Sequence, residues 1–324
     1  MYIKVIKKVC LLVLVFCISL CTFACQKKLD YDSKRLINNL YLANDSMFSI
    51  GTAKDIVVPT KTNQIVDNIS ADSYFIASLN SSKSKYTKYC DPYKKMPMAS
   101  LTKLMTALVV LKNCEDLNAE YYVSPDAVDL EKDVSVANLK SGDKIKIIDL
   151  LYGLLIPSGN DAALCLAENV SSSYDNFIIM MNNEAERIGA LNTHFANPHG
   201  LDEEYHYTTA YDLFLITREL SKYDLFGKIS NTKEYSANIL QSDGTMRTEK
   251  WVNTNYFVTE ELMLSNNTNL IGGKTGNTKI AGSCLVLLVE EKASANRFIS
   301  VVLNAKSKRN SYYNSNSLLS AISK

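Results

Sequence analysis

Residue types and patterns that mark specialised protein classes are rare in this 324-residue sequence. It holds one tryptophan, six prolines and twelve glycines, with no internal repeat and no late Pro/Gly-rich linker. Its formal net charge is only +1 and no basic patch is interleaved with aromatic residues, so nothing indicates a nucleic-acid partner. With 47% hydrophobic and 21% charged residues, the chain is typical of a globular protein with a substantial core.

Histidine and cysteine are too sparse and too scattered to indicate a metal site. The three histidines, His194, His199 and His206, match no helical zinc pair, and no His-Glu-x-x-His motif occurs. Four of the eight cysteines precede residue 26, and the other four are Cys90, Cys114, Cys165 and Cys284. Their spacing fits neither a zinc site nor a dense disulfide framework, although a single disulfide among them stays open. We therefore predict no metal and no cofactor.

The N-terminus has the layout of an export signal. Three lysines within the first eight residues precede an uncharged apolar run at 9–24. This run is near the lower limit for a bilayer span, which takes about 20 apolar residues. Cleavage after Ala24 is compatible with the small residues there, and Cys25 at the next position could carry a lipid. A lipidated, a secreted and an uncleaved anchored chain all stay open, and each lies outside the cytoplasmic membrane.

The remaining chain divides into a polar segment and one domain. Residues 25–69 are rich in polar residues and are interpreted as a tether, and the domain is predicted at 70–324. Within the domain, a strand–turn–strand pattern starts near residue 71, and helical patterns with a break at Pro157 follow. A β-hairpin and a closing helix end the chain. Strands, then helices, then strands predict an α+β fold, in which helices cover an antiparallel sheet. A mostly helical subdomain is predicted at roughly 112–268.

Three short motifs along this domain carry the candidate chemistry. In chain order they are Ser100-Leu-Thr-Lys103, Ser158-Gly-Asn160 and Lys274-Thr275-Gly276. Three further Ser-x-x-Lys matches start at residues 82, 141 and 230, but they lie in polar turns or a charged stretch. Only the first match stands at the head of an apolar helix. The three motifs in this order resemble the signature of penicillin-binding proteins and class A β-lactamases, in which the middle motif is Ser-Asp-Asn where this sequence has Ser-Gly-Asn.

The first two motifs suit an activated serine nucleophile. Residues three apart share one helix face, so Lys103 can reach the hydroxyl of Ser100. A lysine in a desolvated cleft has a lowered pKa and can act as the base toward a serine. Ser158 can relay a proton, and the side-chain amide of Asn160 can hold a substrate carbonyl.

The third motif suits the binding of an extended peptide that ends in a carboxylate. Lys274 and Thr275, expected at the start of a strand, would bind the carboxylate. Gly276 would leave room for the peptide to lie against the strand. The backbone N–H groups of Ser100 and Asn277 are the candidates for the oxyanion hole.

Beyond the motifs, the sequence resembles the low-molecular-mass D-alanyl-D-alanine carboxypeptidases, serine peptidases of the penicillin-binding protein group. The similar stretches are PMASLTKLMTA, LLYGLLIPSGNDAA, FANPHGLDEEYHYTTAYDL and GGKTGNTKIAGSCLV, and the similarity covers roughly residues 70–324. The resemblance implies a β-lactamase/transpeptidase-like fold with a five-stranded antiparallel sheet. It also implies that Ser100 attacks the bond between the two terminal D-alanines of a peptidoglycan stem peptide. β-Lactam antibiotics would be covalent inhibitors, and the role would lie in cell-wall biosynthesis and cell shape.

Two departures from the family pattern lead to further expectations. Many members continue into a β-rich C-terminal domain, whereas 48 residues follow Gly276 here, so no such domain is expected and the N-terminal segment would provide membrane attachment. Relatives often place an arginine after the strand that follows Lys-Thr-Gly, where it helps to bind the terminal carboxylate. The nearest counterpart here is Lys306, which supplies the charge without the bidentate fork.

Two alternative functions stay open at this point. A β-lactamase of the same fold would need a glutamate to activate the deacylating water, but Glu186 is wrongly spaced for the usual Glu-x-x-Leu-Asn motif. A lipoprotein that binds wall peptide without turnover is the other alternative. His206 and Asp212 are expected to be structural hydrogen-bonding residues rather than catalytic ones.

Overall fold

The computed structural model describes residues 58–59, 64–79, 87–171 and 173–322. The predicted export segment at 1–24, Cys25 and most of the predicted tether lie outside the described residues. Among the described helices, none has both the length and the apolar character that a membrane span requires. Cys114, Cys165 and Cys284 are free thiols.

A five-stranded antiparallel sheet forms the centre of the structure. Its strands are β1 (Ala71–Ser78), β2 (Thr87–Cys90), β7 (Thr268–Thr278), β8 (Gly282–Glu291) and β9 (Arg297–Ala305). They lie in the order β2-β1-β9-β8-β7, so the two ends of the described chain meet at the sheet centre and β7 lies at one edge. This arrangement confirms the predicted α+β fold and its five-stranded sheet.

Strands β8 and β9 are apolar at nearly every position because both faces of the sheet are covered. Leu285, Leu287 and Val289 of β8 pack in one core, whereas Val286 and Leu288 pack in the core on the opposite face. Successive side chains of a strand point to opposite faces, so a strand between two cores needs apolar residues at both.

Seven helices accompany the strands in the part of the chain that the structure describes. They are α1 (Lys103–Asn113), α2 (Ile147–Leu155), α3 (Asn160–Ser171), α4 (Tyr174–Ile188), α5 (Ala210–Leu220), α6 (Asp224–Ser230) and α7 (Lys308–Ile322). Helix α1 is buried from residue 103 to residue 110 between α3, α5 and neighbouring helices, as its apolar sequence predicts. The predicted break at Pro157 separates α2 from α3.

A second sheet lies within the region that the sequence predicts to be mostly helical. Its four strands are β3 (Glu120–Tyr122), β4 (Lys144–Lys146), β5 (Glu234–Leu240) and β6 (Met246–Val252), in the order β3-β4-β5-β6. Strands β3 and β4 have three residues each, too few to show a period in the sequence. The region 112–268 is therefore mixed α and β.

Candidate active site

Ser100 lies in a single 3-10 turn, Ala99–Thr102, that leads directly into α1. Lys103 is the first residue of α1 and is fully buried. Its amino nitrogen is 3.1 Å from Ser100 Oγ, so the turn of helix between them places the two groups in contact. Another of the Ser-x-x-Lys pairs is Ser230 and Lys233, at the end of α6. There the serine hydroxyl donates to the backbone carbonyl of Phe226 and not to a lysine.

Two carbonyl oxygens fix the direction of the Lys103 amine. Nζ donates to Oδ1 of Asn160 at 2.7 Å and to the backbone oxygen of His199 at 2.6 Å. A carbonyl oxygen can only accept, so in the neutral amine both hydrogens are used by these contacts. The remaining lone pair then faces Ser100 Oγ and can take its proton.

Burial is the main reason that Lys103 can be neutral. It lowers the pKa of Lys103 well below the ordinary value, and the charge of Lys274 lowers it further, while Asp161 acts in the opposite direction. An ammonium ion without water is costly, so the neutral base is favoured in this site. The environment of Lys103 thus matches the demands of a general base toward a serine.

Asn160 is held in place by the start of α3. Its backbone N–H donates to the carbonyl of Ser135 at 2.8 Å. The carboxylate of the next residue, Asp161, accepts from the backbone N–H groups of Ala137 and Leu139, at 2.7 and 3.0 Å. Together these bonds tie the loop at 135–139 to the helix start and keep the Asn160 amide directed at Lys103.

The second lysine of the site, Lys274, is also buried. It lies in the interior of β7 rather than at the strand start, and its Nζ donates to Ser158 Oγ at 2.8 Å. Burial lowers the pKa of Lys274 to about 7, with a further contribution from the charge of Lys308. Ser158 has a left-handed backbone with φ of 67°, which turns its hydroxyl into the site between α2 and α3.

Gly276 allows the nucleophile turn to pack against β7. A Cβ atom at this position would lie 3.0 Å from the carbonyl oxygen of Met98, 3.1 Å from Ala99 Cβ and 3.2 Å from the nitrogen of Leu101. From the sequence, this glycine is expected to leave room for a substrate. The structure adds a second reason, because a Cβ atom at this position would press against the backbone of the nucleophile turn and require it to shift slightly.

The side chains of two further predicted site residues, Asn277 and Lys306, lie away from the Ser100 hydroxyl, and for Asn277 the predicted role concerns its backbone N–H. Asn277 Oδ1 accepts from Ser283 Oγ, so its side chain is tied to β8. Lys306 is exposed just before α7. The charge of Lys308, in contrast, lowers the pKa of Lys274, and Nζ of Lys308 lies 3.8 Å from the centre of the Tyr256 ring. The sequence at 306–308 contains two lysines, and only the fold shows which of them acts on Lys274.

Two further contacts had no signal in the sequence. The hydroxyl of Thr254 lies 2.7 Å from that of Thr275, beside the third motif. The backbone carbonyl of His199 accepts a hydrogen bond from Lys103. The sequence had raised only the side chain of His199, as a possible metal ligand. Among the described residues, no group of histidine, cysteine and carboxylate side chains is arranged to hold a metal ion.

Comparison with known proteins identifies the family. The sequence profile of the D-alanyl-D-alanine carboxypeptidase family matches residues 59–307. The chain belongs to this family. It is 35% identical to the D-alanyl-D-alanine carboxypeptidase DacC of Escherichia coli (strain K12) over 70% of this chain and 55% of DacC. It is 31% identical to DacF of Bacillus subtilis (strain 168), over 72% of this chain and 57% of DacF, so it spans little more than half the length of these relatives.

Solved structures of family members have the same fold. The Streptomyces K15 DD-transpeptidase superposes with a TM-score of 0.72 at 29% identity, covering 80% of this chain and 98% of that one. The carboxypeptidase DacD of Francisella tularensis gives a TM-score of 0.68 at 25% identity, covering 83% and 73% of the two chains. The family resemblance and the fold class predicted from the sequence are thereby confirmed.

Proposed function

We propose that this member of the family is a serine-type D-Ala-D-Ala carboxypeptidase that acts on the stem peptides of peptidoglycan. The observation that carries the proposal is the geometry of the Lys103 amine. Asn160 and His199 accept its two hydrogens, and its lone pair faces Ser100 Oγ. The names of the curated relatives support the same reaction.

Acylation begins with the transfer of the Ser100 proton to Lys103. Ser100 Oγ attacks the carbonyl carbon of the penultimate D-alanine, and a tetrahedral intermediate forms. The backbone N–H groups of Ser100 and Asn277 would stabilise the oxyanion, and the Asn160 amide would orient the peptide. These groups are preorganised, so they act mainly on the transition state.

The leaving amine needs a proton before D-alanine can depart. Ser158 lies between the site and Lys274, whose Nζ donates to its hydroxyl. Ser158 can pass a proton to the amine while it receives one from Lys274 or Lys103. Water then attacks the acyl-enzyme, with Lys103 again taking a proton, and the shortened stem peptide is released.

The terminal carboxylate of the substrate would bind at Lys274 and Thr275. A carboxylate next to Lys274 favours the charged form of that amine and offsets its burial. Lys308 adds positive charge on the same side, whereas the predicted contribution of exposed Lys306 requires its long side chain to reach inward. β-Lactam antibiotics carry a comparable carboxylate and would acylate Ser100.

We place this reaction outside the cytoplasmic membrane, in the cell envelope where peptidoglycan lies. The export pattern at 1–24 supports this location, with attachment through an uncleaved segment or a lipid on Cys25, or secretion after cleavage. The family match supports it independently, because the D-alanyl-D-alanine bond in the family's name is the bond that ends peptidoglycan stem peptides.

The decisive experiment is to incubate the full chain, in detergent, with a pentapeptide-bearing muropeptide and to quantify free D-alanine. We expect release by the wild type and none by Ser100→Ala, together with labelling of the wild type alone by fluorescent penicillin. Folded wild-type protein that neither releases D-alanine nor takes up penicillin would support a non-catalytic binding role. Rapid turnover of nitrocefin would instead support a β-lactamase.

The pKa of Lys274 gives a pH dependence that can be measured. The ammonium form binds the substrate carboxylate and is lost as the pH rises through about 7, so kcat/KM should fall about tenfold per pH unit above that value. In Lys274→Arg the guanidinium keeps its charge, and the falling limb should move beyond pH 9. The check is a pH series of penicillin acylation for both proteins. An identical falling limb in the two proteins would contradict this role of Lys274.

A further inference from the structure

Behind the nucleophile turn, a chain of hydrogen bonds connects groups other than Ser100 Oγ and the amines of Lys103 and Lys274. It starts at the N–H of Ala196, which lies 2.9 Å from His206 Nδ1. The opposite ring nitrogen, Nε2, lies 2.8 Å from Thr102 Oγ1, and this hydroxyl lies 2.8 Å from the carbonyl oxygen of Ala99. His206 and Thr102 are both buried.

The direction of every bond in this chain is fixed by the groups at its two ends. The backbone N–H of Ala196 can only donate, so His206 Nδ1 accepts and the proton of the neutral ring is on Nε2. The carbonyl of Ala99 can only accept, so the Thr102 hydroxyl donates to it and accepts from Nε2–H. Burial lowers the pKa of His206 to about 4, so the ring is neutral near pH 7.

The end of the chain lies on the peptide group that precedes the nucleophile. Because the peptide unit is planar and trans, the carbonyl oxygen of Ala99 and the N–H of Ser100 point in opposite directions within one rigid plane. A bond that fixes the oxygen therefore fixes the N–H, which is the proposed oxyanion donor. Ala99 itself has a left-handed backbone with φ of 50°, which is unfavourable for alanine and needs support from its surroundings.

The segment that carries His206 is anchored to the same turn at two other points. Thr208 and Met96 exchange backbone hydrogen bonds of 2.8 and 2.9 Å, just before the nucleophile turn. Gly200 packs so closely on Ala99 that a Cβ atom would lie 2.1 Å from the Ala99 carbonyl oxygen. The backbone around His206 is therefore held against the nucleophile turn by contacts that do not involve the imidazole ring.

From this geometry we propose that His206 is a positioning residue that orients the oxyanion-binding N–H of Ser100 through Thr102 and Ala99. The inference rests on the proposed acyl-enzyme function and adds to it a residue that does not touch the substrate. Its effect falls on the tetrahedral transition state and not on the binding of the substrate. Loss of the chain should therefore lower kcat and leave KM almost unchanged.

The test uses Thr102→Val, which removes the hydroxyl from a buried position with little change in shape, and His206→Phe. Both should slow acylation by penicillin roughly 10- to 100-fold, since removal of an oxyanion donor itself costs about 10²- to 10³-fold. A peptide boronic acid, which forms a tetrahedral adduct with serine, should lose affinity by a similar factor. Because both residues act through one chain, the double variant should be no slower than the worse single variant.

Matched controls separate positioning from a general loss of structure. Thr102→Ser and His206→Gln keep the donor and acceptor pattern and should recover most of the rate. Exposed His194, replaced by glutamine, should acylate at the wild-type rate. Should His206→Phe fail to fold, Thr102→Val carries the test alone.

Several outcomes would overturn the inference. Wild-type acylation and boronate affinity in Thr102→Val would exclude the relay while leaving the proposed function intact. A higher KM with unchanged boronate affinity would show a merely structural role. Failure of the proposed function is distinguishable from both, because the wild type itself would then form no penicillin adduct.

Discussion

Replacing Lys103 by methionine should slow the acylation of Ser100 by penicillin about 10³- to 10⁴-fold, near the upper range for loss of a general base. Methionine has a similar length and is compatible with a buried position, so the helix start should be retained. The amine that contacts Ser100 Oγ, Asn160 and His199 is lost, and no other described side chain is bonded to Ser100 Oγ. Stopped-flow measurement of penicillin binding gives the rate.

Two companion variants sharpen this result. Lys103→Arg should be equally slow although it keeps a cation, because a guanidinium group cannot be deprotonated in a protein. The same methionine substitution at Lys112, which lies in the same helix and pairs with Glu184, should leave the rate within about twofold. A Lys103→Arg protein that acylates at the wild-type rate would contradict the role of Lys103 as the base.

Replacing Gly200 by alanine should both slow acylation, about 100-fold or more, and lower the stability of the protein. The new Cβ atom would lie 2.1 Å from the carbonyl oxygen of Ala99 and 2.5 Å from its carbon. Neither atom belongs to a flexible side chain, so the backbone of the nucleophile turn must move. Displacements of about 1 Å at a reacting group cost roughly 10²-fold in rate.

Gly189 offers a matched control for the Gly200 variant. Both glycines have a left-handed backbone, with φ of 94° at Gly200 and 86° at Gly189, but a Cβ atom at Gly189 would meet nothing within 4 Å. Alanine at either position bears the cost of that conformation, about 1 kcal/mol. Urea unfolding should show this loss for both, whereas slow acylation should be confined to Gly200→Ala. Equal acylation by the two variants would show that the contact with Ala99 is not important.

Local sequence patterns predicted much of the fold. The apolar run after Ser100 predicted helix α1, and Pro157 predicted the break between α2 and α3. The two apolar runs near the C-terminus predicted the hairpin of β8 and β9. These elements are long, or are bounded by residues with strong backbone preferences, so their signals lie within a short stretch of sequence. The second sheet was missed because β3 and β4 are too short to show such a pattern and pair with residues distant in the chain.

Local patterns of residue types predict that a serine and a lysine share one face of a buried helix start, and that two further motifs follow in the order typical of the family. The surroundings of these residues follow from the packing of distant segments. That packing places the His199 carbonyl on Lys103, Lys308 rather than Lys306 near Lys274, and His206 in hydrogen-bond contact with Thr102. The last contact joins residues 104 positions apart. Such pairs depend on how the helices and loops pack, and no local pattern of residue types encodes that packing.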